Sequence, residues 1–331
     1  MMKKKLFACL LSAAMVLSLA ACGGTSETET TGTDDTGSEG QTYTIGVIQQ
    51  MQHEALDAAT QGFQDAVAEL FGDQASVEVQ NASGEAANCS TIVGSFVSSG
   101  VDLIMANGTT ALQSAAAATT TIPILGTSIT EYGVALGIDG FTGTTGMNIS
   151  GTSDLAPLED QAAMLQEWFP DAKTVGLVYC SAEPNSLYQV ETVQGYLEEM
   201  GYTCTAYSFS DSNDLSAVVT NACSQSDVLY IPTDNTAATN AELIGNIAQS
   251  SATPIIAGEE GICSGCGVAT LTISYYDIGY ATGKMAYEIL VNGADPAEME
   301  IEYAPQFTKK YNPDMCDALG LTAPEGYEAI G

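Results

Sequence analysis

The chain has 331 residues, with 41 acidic and seven basic side chains and a formal net charge of −34, and every basic residue is a lysine. So large an acidic excess leaves no basic footprint for nucleic acid, and none is expected as a partner. Without arginine, no ligand carboxylate or phosphate can be gripped by a guanidinium fork, so that task falls to lysine, hydroxyls or backbone N–H groups.

Lys3-Lys4-Lys5 and the apolar run from Leu6 to Ala21 have the layout of a secretory signal, and the run is too short and too rich in small residues for a membrane span. Leu19-Ala20-Ala21-Cys22 resembles a bacterial lipobox, which implies cleavage before Cys22 and a lipid on that cysteine. On that reading residues 1–21 are a signal peptide. Residues 22–42 are a lipid-anchored linker, whose stretch from Gly23 to Gln41 has no apolar side chain to offset the entropy of ordering. The folded part is expected to begin near Tyr43, tethered to the extracellular face of the cell membrane.

From there the pattern alternates short β-rich runs with longer helical ones. Strands are predicted over 43–49, 76–80, 101–106 and 122–125, with helices over 55–71, 86–99 and 110–120 between them. A glycine-rich stretch follows, and then helices over 157–168, 187–200, 215–224 and 236–250 alternate with strands over 174–180, 202–208, 228–231 and 254–257. A strand over 268–273 and a helix over 277–292 complete the pattern. Such alternation means parallel sheets joined by helical crossovers. Two runs of about 110 residues fit two α/β lobes better than one sheet.

Seven cysteines remain after Cys9 and Cys22, an odd number at irregular spacing and so a poor disulfide framework. Cys263-Ser-Gly-Cys266 has no second C-x-x-C or histidine pair to complete a zinc site. It is read as lying in a glycine-rich loop, as free thiols or a local staple, since a redox pair would open a helix. His53, the only histidine, has no nucleophile motif or metal-ligand spacing beside it. Neither catalysis, nor a metal, nor a cofactor is expected.

The polar residues at strand ends carry the functional argument. Gln49 to Glu54, Asn107 to Thr110, Thr127-Ser128, Ser181 to Ser186, Thr233 to Thr236 and Gly258 to Gly261 each follow a predicted strand. Ligands of open parallel sheets bind beyond those carboxyl ends, where helix N-termini also point. Two lobes presenting such edges to each other form a cleft that can close by hinge motion.

Several separated motifs resemble the ABC-transporter substrate-binding lipoproteins of the tryptophan-binding type. They are Gly46-Val47-Ile48-Gln49 with His53-Glu54-Ala55-Leu56-Asp57, Asn148 to Leu155, Tyr230 to Thr236, Gly258 to Gly261, and Ser274 to Gly279 with Gly283-Lys284-Met285-Ala286. The resemblance implies a type I periplasmic-binding-protein fold: two Rossmann-like lobes of parallel sheet joined by three hinge strands. Lobe 1 would take 43–154 with about 274–300, and lobe 2 would take 155–273 with the C-terminal tail. It further implies an aromatic or other amino acid in the cleft, ABC permease subunits as partners, and a monomer. The chain departs from the family pattern at Ser181 to Ser186, where Pro184 is expected to stiffen the loop.

For a zwitterionic ligand, Thr109, Thr110, Thr127 and Ser128 are the candidates for the carboxylate, although such hydroxyls equally suit helix capping. Asp154, Asp234, Glu54 and Glu259 are the candidates for the ammonium. Asn185 and Asn235 would orient the side chain, with Gln49, His53 and Asn107 lining the first lobe. Tyr275 and Tyr276 could stack on the ligand or pack in the hinge. A sensor of the same fold, or a binder of nucleosides or sugars, remains open at this point.

Overall fold

The computed structural model describes residues 42–331; the signal-peptide, linker and Cys22 assignments lie outside the described residues. Chain order gives β1 (Tyr43–Gln49), α1 (Glu54–Phe71), β2 (Ala75–Asn81), α2 (Ala86–Ser99), β3 (Leu103–Asn107), α3 (Thr109–Ala118), β4 (Ile124–Ile129), α4 (Tyr132–Leu136) and β5 (Ile149–Ser153). Next come α5 (Leu158–Trp168), β6 (Thr174–Cys180), α6 (Pro184–Glu199), β7 (Thr203–Phe209), α7 (Ser212–Gln225), β8 (Val228–Ile231), α8 (Asn235–Thr239), α9 (Ala241–Ser251), β9 (Ile255–Ala257), α10 (Glu260–Cys266) and β10 (Ala269–Thr272). The chain ends with α11 (Tyr275–Leu290), β11 (Glu302–Tyr303), β12 (Thr308–Tyr311), α12 (Pro313–Leu319) and β13 (Glu328–Ala329).

Two sheets result, in the orders β11-β5-β4-β3-β1-β2 and β13-β12-β10-β9-β8-β6-β7. All pairings are parallel except β10 with β12. The central strands β3 and β4 are buried along their whole length; β3 accordingly reads as a near-continuous apolar run, whereas β4 carries Gly126, Thr127 and Ser128 at its centre. The edge strand β2 is only partly covered, and its sequence mixes polar and apolar residues accordingly. One face of the first sheet packs on α2, α3 and α4 through Phe96, Leu112 and Tyr132. The other packs on α1 and α11 through Phe63, Val67 and Met285. The second sheet is covered by α5 and α6 on one face and by α7, α9 and α10 on the other. The expected α/β class with two parallel sheets is therefore the observed one.

The chain passes between the sheets three times, after β5, between β10 and α11, and between β11 and β12. Asp154 stands at the first of these crossings and Tyr275 at the second, and the Tyr275 hydroxyl donates to Asp154 Oδ2 at 3.1 Å.

Some elements differ from the sequence pattern. No strand is predicted at 149–153, because Ile-Ser-Gly-Thr-Ser holds one apolar residue. There β5 forms with its hydroxyls satisfied inward: Ser150 donates to the Met299 carbonyl and Ser153 to the Thr130 carbonyl. The expected loop around Cys263 and Cys266 is instead α10, because Glu259 caps it by accepting from the N–H groups of Gly261 and Ile262. Both thiols are fully buried, which pushes them up, and all seven cysteines among the described residues are free. Pro184 does not stiffen a loop. It is the first residue of α6, where its missing N–H costs nothing, so that helix starts three residues before the predicted Leu187. The helix predicted over 236–250 divides at Asn240 into α8 and α9.

Candidate functional site

Every residue singled out from the strand ends falls at the carboxyl edge of one sheet or the other, and the two edges meet. Asn235 lies at the start of α8 after β8, and its Nδ2 donates to Glu183 Oε2 at 2.7 Å. That turns Asn235 Oδ1 toward His53 Nε2, 3.0 Å away, so His53 carries its proton on Nε2 and donates across from the first sheet to the second. Burial lowers the His53 pKa against the opposing influence of Asn235, Glu183, Asp57 and Glu54, which keeps the ring neutral. Thr239 Oγ1 meets Met51 Sδ in a second contact between the edges.

The other residues divide by what their side chains already hold. Gln49 is fully engaged: its Nε2 donates to Asp57 Oδ1 at 2.6 Å and to the Met51 carbonyl at 2.8 Å, and its Oε1 accepts from Thr60 at 2.6 Å. Thr127 turns away from the edge into a hydroxyl row, 3.0 Å from Thr152 Oγ1, which lies 2.9 Å from Thr282 Oγ1. The N–H of Thr110 is already taken by Gln50 Oε1 at 2.8 Å, and Thr109 is buried beside it at the start of α3. Asp234 accepts from the backbone N–H groups of Cys180 at 2.7 Å and Ala237 at 2.8 Å, and so ties β6 to α8. Burial and the Glu183 charge raise its pKa to about 7, and burial raises that of the helix-capping Glu259 to about 7. Glu54 is exposed in the first turn of α1. Tyr276 is exposed, stacks on Tyr280 and donates to Asp65, while also lining a cavity beside Glu54 and Tyr275.

Four residues are different. Among the described residues, Asn107 Oδ1, Ser128 Oγ, Asp154 Oδ1 and Asn185 Oδ1 are buried at these edges without a hydrogen-bond partner. Buried polar atoms are nearly always paired, and against two others among the described residues, Trp168 Nε1 and Thr270 Oγ1, four along the facing edges call for a physical reason. Ser128 is also strained: its φ is +55, in the left-handed region, within a stretch where the β4–β5 register shifts between Gly126 and Ile129. A bulge of this kind re-aims one side chain, and here Thr127 and Ser128 part to opposite sides. Asp154 has its pKa raised to about 6 by burial, opposed by the neighbouring Thr130 and Tyr275 hydroxyls. The Tyr275 hydroxyl, which donates to Asp154, lies near Thr233, whose carbonyl accepts from Asn185 Nδ2 at 3.1 Å. Asp154 and Asn185, from opposite sheets, thus share neighbours.

Glu183 and Gln50 are absent from the sequence-derived set, yet both organise the site. Glu183 Oε1 accepts from the N–H of Thr236 at 2.9 Å and from its hydroxyl at 2.8 Å. Its Oε2 accepts from Asn235, so one buried carboxylate sets both Asn235 and Thr236. The signal for Glu183 was its place just before Pro184, a helix-start position. Two cavities open at the rim. One of about 280 Å³ lies between Glu54, Glu259, Tyr275 and Lys310; one of about 350 Å³ lies between His53, Thr239 and Glu242. Lys310 is paired with Glu260 at 2.7 Å and Lys309 with Glu167 at 2.8 Å, which leaves anion binding at this edge to hydroxyls and N–H groups.

Residues 44–329 match the profile of the ABC transporter substrate binding protein family. The chain belongs to that family. Membership makes it a binder of solute rather than an enzyme. A tyrosine-binding protein of Clostridioides difficile (strain R20291) is 31% identical over 280 residues, covering 84% of this chain and 81% of that one. Among solved structures, a Streptococcus pneumoniae ABC domain in complex with L-Trp is 31% identical with a TM-score of 0.83, covering 88% of this chain and all of that one. The ligand-free, open structure of a substrate binding protein with adhesive properties from Clostridium difficile is 32% identical, with 87% and 99% covered, but its TM-score is 0.67. At equal identity and coverage the ligand complex fits better than the open form. In this chain the two edges touch through the His53–Asn235 contact. Substituting His53 with alanine is expected to enlarge the radius of gyration of the unliganded protein in small-angle scattering. The removed contact is worth about 1 kcal/mol. An unchanged scattering profile would show that the contact does not hold the sheets together.

Proposed function

We propose that this protein is the solute-capturing lipoprotein of an ABC importer and that its solute is an aromatic α-amino acid. The observation that carries the reading is the set of four buried oxygens without partners, drawn from both sheets at their facing carboxyl edges. Asp154 Oδ1 is the anionic acceptor for the ammonium, with Asn185 Oδ1 as a second acceptor from the second sheet. Ser128 Oγ, held in its strained backbone, donates to the carboxylate. Relatives at 31% identity named for tyrosine binding or solved with L-Trp support the ligand class.

Each sheet with its helices acts as a lobe, 43–154 with about 274–300 and 155–273 with the C-terminal tail, and the three crossings act as hinges. Capture closes the lobes by giving both edges a common partner. No helix among the described residues is long and apolar enough to cross a membrane. The lipid on Cys22, with residues 23–41 as a leash, holds the monomeric binder at the outer membrane face near its permease. A thermal-shift screen of amino acids, sugars and nucleosides tests the reading. An aromatic amino acid at about 1,000 times its Kd is expected to add about 4 kcal/mol. A midpoint moved by a sugar or nucleoside and by no amino acid would refute it.

A further inference from the structure

Asp154 follows β5 and Asn107 ends β3, with β4 and its Ser128 between them. Two strand spacings separate their backbones by roughly 10 Å. A ligand lying along this row meets Asp154 at one end and Asn107 at the other. The α-ammonium goes to the Asp154 carboxylate, the one charged group among the four, which leaves Asn107 for another donor.

Asn107 is fully buried, and its amide cannot be turned around. Its Nδ2 donates to the Leu56 carbonyl at 2.8 Å and to Thr60 Oγ1 at 2.9 Å. A flipped amide would set two carbonyl oxygens against each other at Leu56. Thr60 in turn donates to Gln49, which is itself locked by Asp57 and Met51, so a relay of three side chains fixes the Asn107 orientation. Its Oδ1 is therefore a committed acceptor with no donor among the described residues. A ligand carboxylate there would oppose lone pair to lone pair, and a plain hydrocarbon ring would leave the oxygen buried and unpaired.

We infer that Asn107 Oδ1 receives a hydrogen-bond donor carried on the ring of the ligand, so that Asn107 selects aromatic amino acids bearing an N–H or O–H and discriminates against phenylalanine. This rests on the amino-acid reading given above. A site built around a hydrogen bond rejects the analogue that lacks it far more strongly than an apolar pocket rejects a missing methylene.

Isothermal titration of the purified protein with L-tyrosine, L-tryptophan, L-phenylalanine, O-methyl-L-tyrosine and 1-methyl-L-tryptophan tests the inference. The better of tyrosine and tryptophan is expected to bind at least about tenfold more tightly than phenylalanine, and to lose at least as much when its donor is methylated. In Asn107→Leu the preference over phenylalanine is expected to collapse to near unity. Phenylalanine binding as tightly as both donor-bearing ligands would overturn the inference while leaving the amino-acid reading intact, as would a preference that survives Asn107→Leu. If none of the five binds and another class of solute does, the amino-acid reading itself fails. The wild-type series stands whether or not the variant folds.

Discussion

Asp154→Ala is expected to weaken amino-acid binding by at least about a hundredfold while changing the stability of the unliganded protein little. Truncating one partner of a buried, hydrogen-bonded charge pair costs about 2–5 kcal/mol of binding, and Asp154 Oδ1 is the one carboxylate oxygen among the four unpaired atoms. Stability behaves differently because the unliganded carboxylate is a burden. Its folded pKa of about 6 lies above the ordinary value of 3.8, so the folded state binds the proton more tightly. The associated stability is complete below about pH 4 and is lost as pH rises through about 6. At neutral pH the shift corresponds to about 3 kcal/mol against folding, which alanine removes. The unpaired Tyr275 hydroxyl and the small void left behind offset most of that gain. The same linkage predicts that wild-type affinity falls about tenfold per unit as pH drops below about 6, because a protonated Asp154 no longer attracts the ammonium. Titration calorimetry at pH 5 and pH 7.5, with denaturant melts of both proteins, checks both effects. A variant that binds within threefold of wild type removes Asp154 from the site.

That Asp154 stands apart from Asp234 and Glu259 could not be read in the sequence. Asp234 and Glu259 follow predicted strands and Asp154 does not, yet chain position says nothing about which N–H groups a carboxylate meets. Asp234 is consumed by Cys180 and Ala237, and Glu259 by Gly261 and Ile262, whereas Asp154 stands at an interlobe crossing with no helix start to cap. Thr127 and Ser128 make the same point within two residues. They look alike in the sequence, yet Thr127 meets Thr152 while Ser128, in left-handed backbone at the register shift against β5, is left unpaired. By contrast β1, α2, β6 and β8 occupy the predicted residues, because apolar runs and helix periodicity are local properties of the chain. The polar β5 and the acid-capped α10 escape the pattern because their stability lies in side-chain partners that no local periodicity reveals. The fold class and the location of the site at the strand ends were thus legible. The division of labour among its polar residues was not.

Gly151→Ala is expected to lower stability by about 3–5 kcal/mol, a much larger loss than alanine at another positive-φ glycine. Gly151 has φ +144, and a Cβ placed there would collide with both the Gly126 carbonyl oxygen and the Tyr132 hydroxyl. Gly126 is its register partner across β4–β5, so relief requires the two strands to separate. Tyr132 cannot swing away freely, since it is buried and donates to the Thr152 carbonyl at 3.1 Å. Gly143 supplies the control: its φ of +114 is as unsuited to alanine, but nothing lies within 4 Å of the point an added methyl would occupy, so Gly143→Ala carries backbone strain alone, about 1 kcal/mol. Urea unfolding of the two variants separates packing from backbone conformation. Equal losses would mean that the β4–β5 contact yields easily. If the contact is as rigid as the geometry implies, spreading the strands also shifts Ser128, two residues beyond Gly126, and Asp154, three beyond Gly151. Any Gly151→Ala protein that still folds is then expected to bind its amino acid at least about tenfold more weakly, whereas Gly143→Ala binds as wild type does. Normal affinity in a destabilised Gly151→Ala protein would show that the bulge holds Ser128 without help from its neighbouring strand.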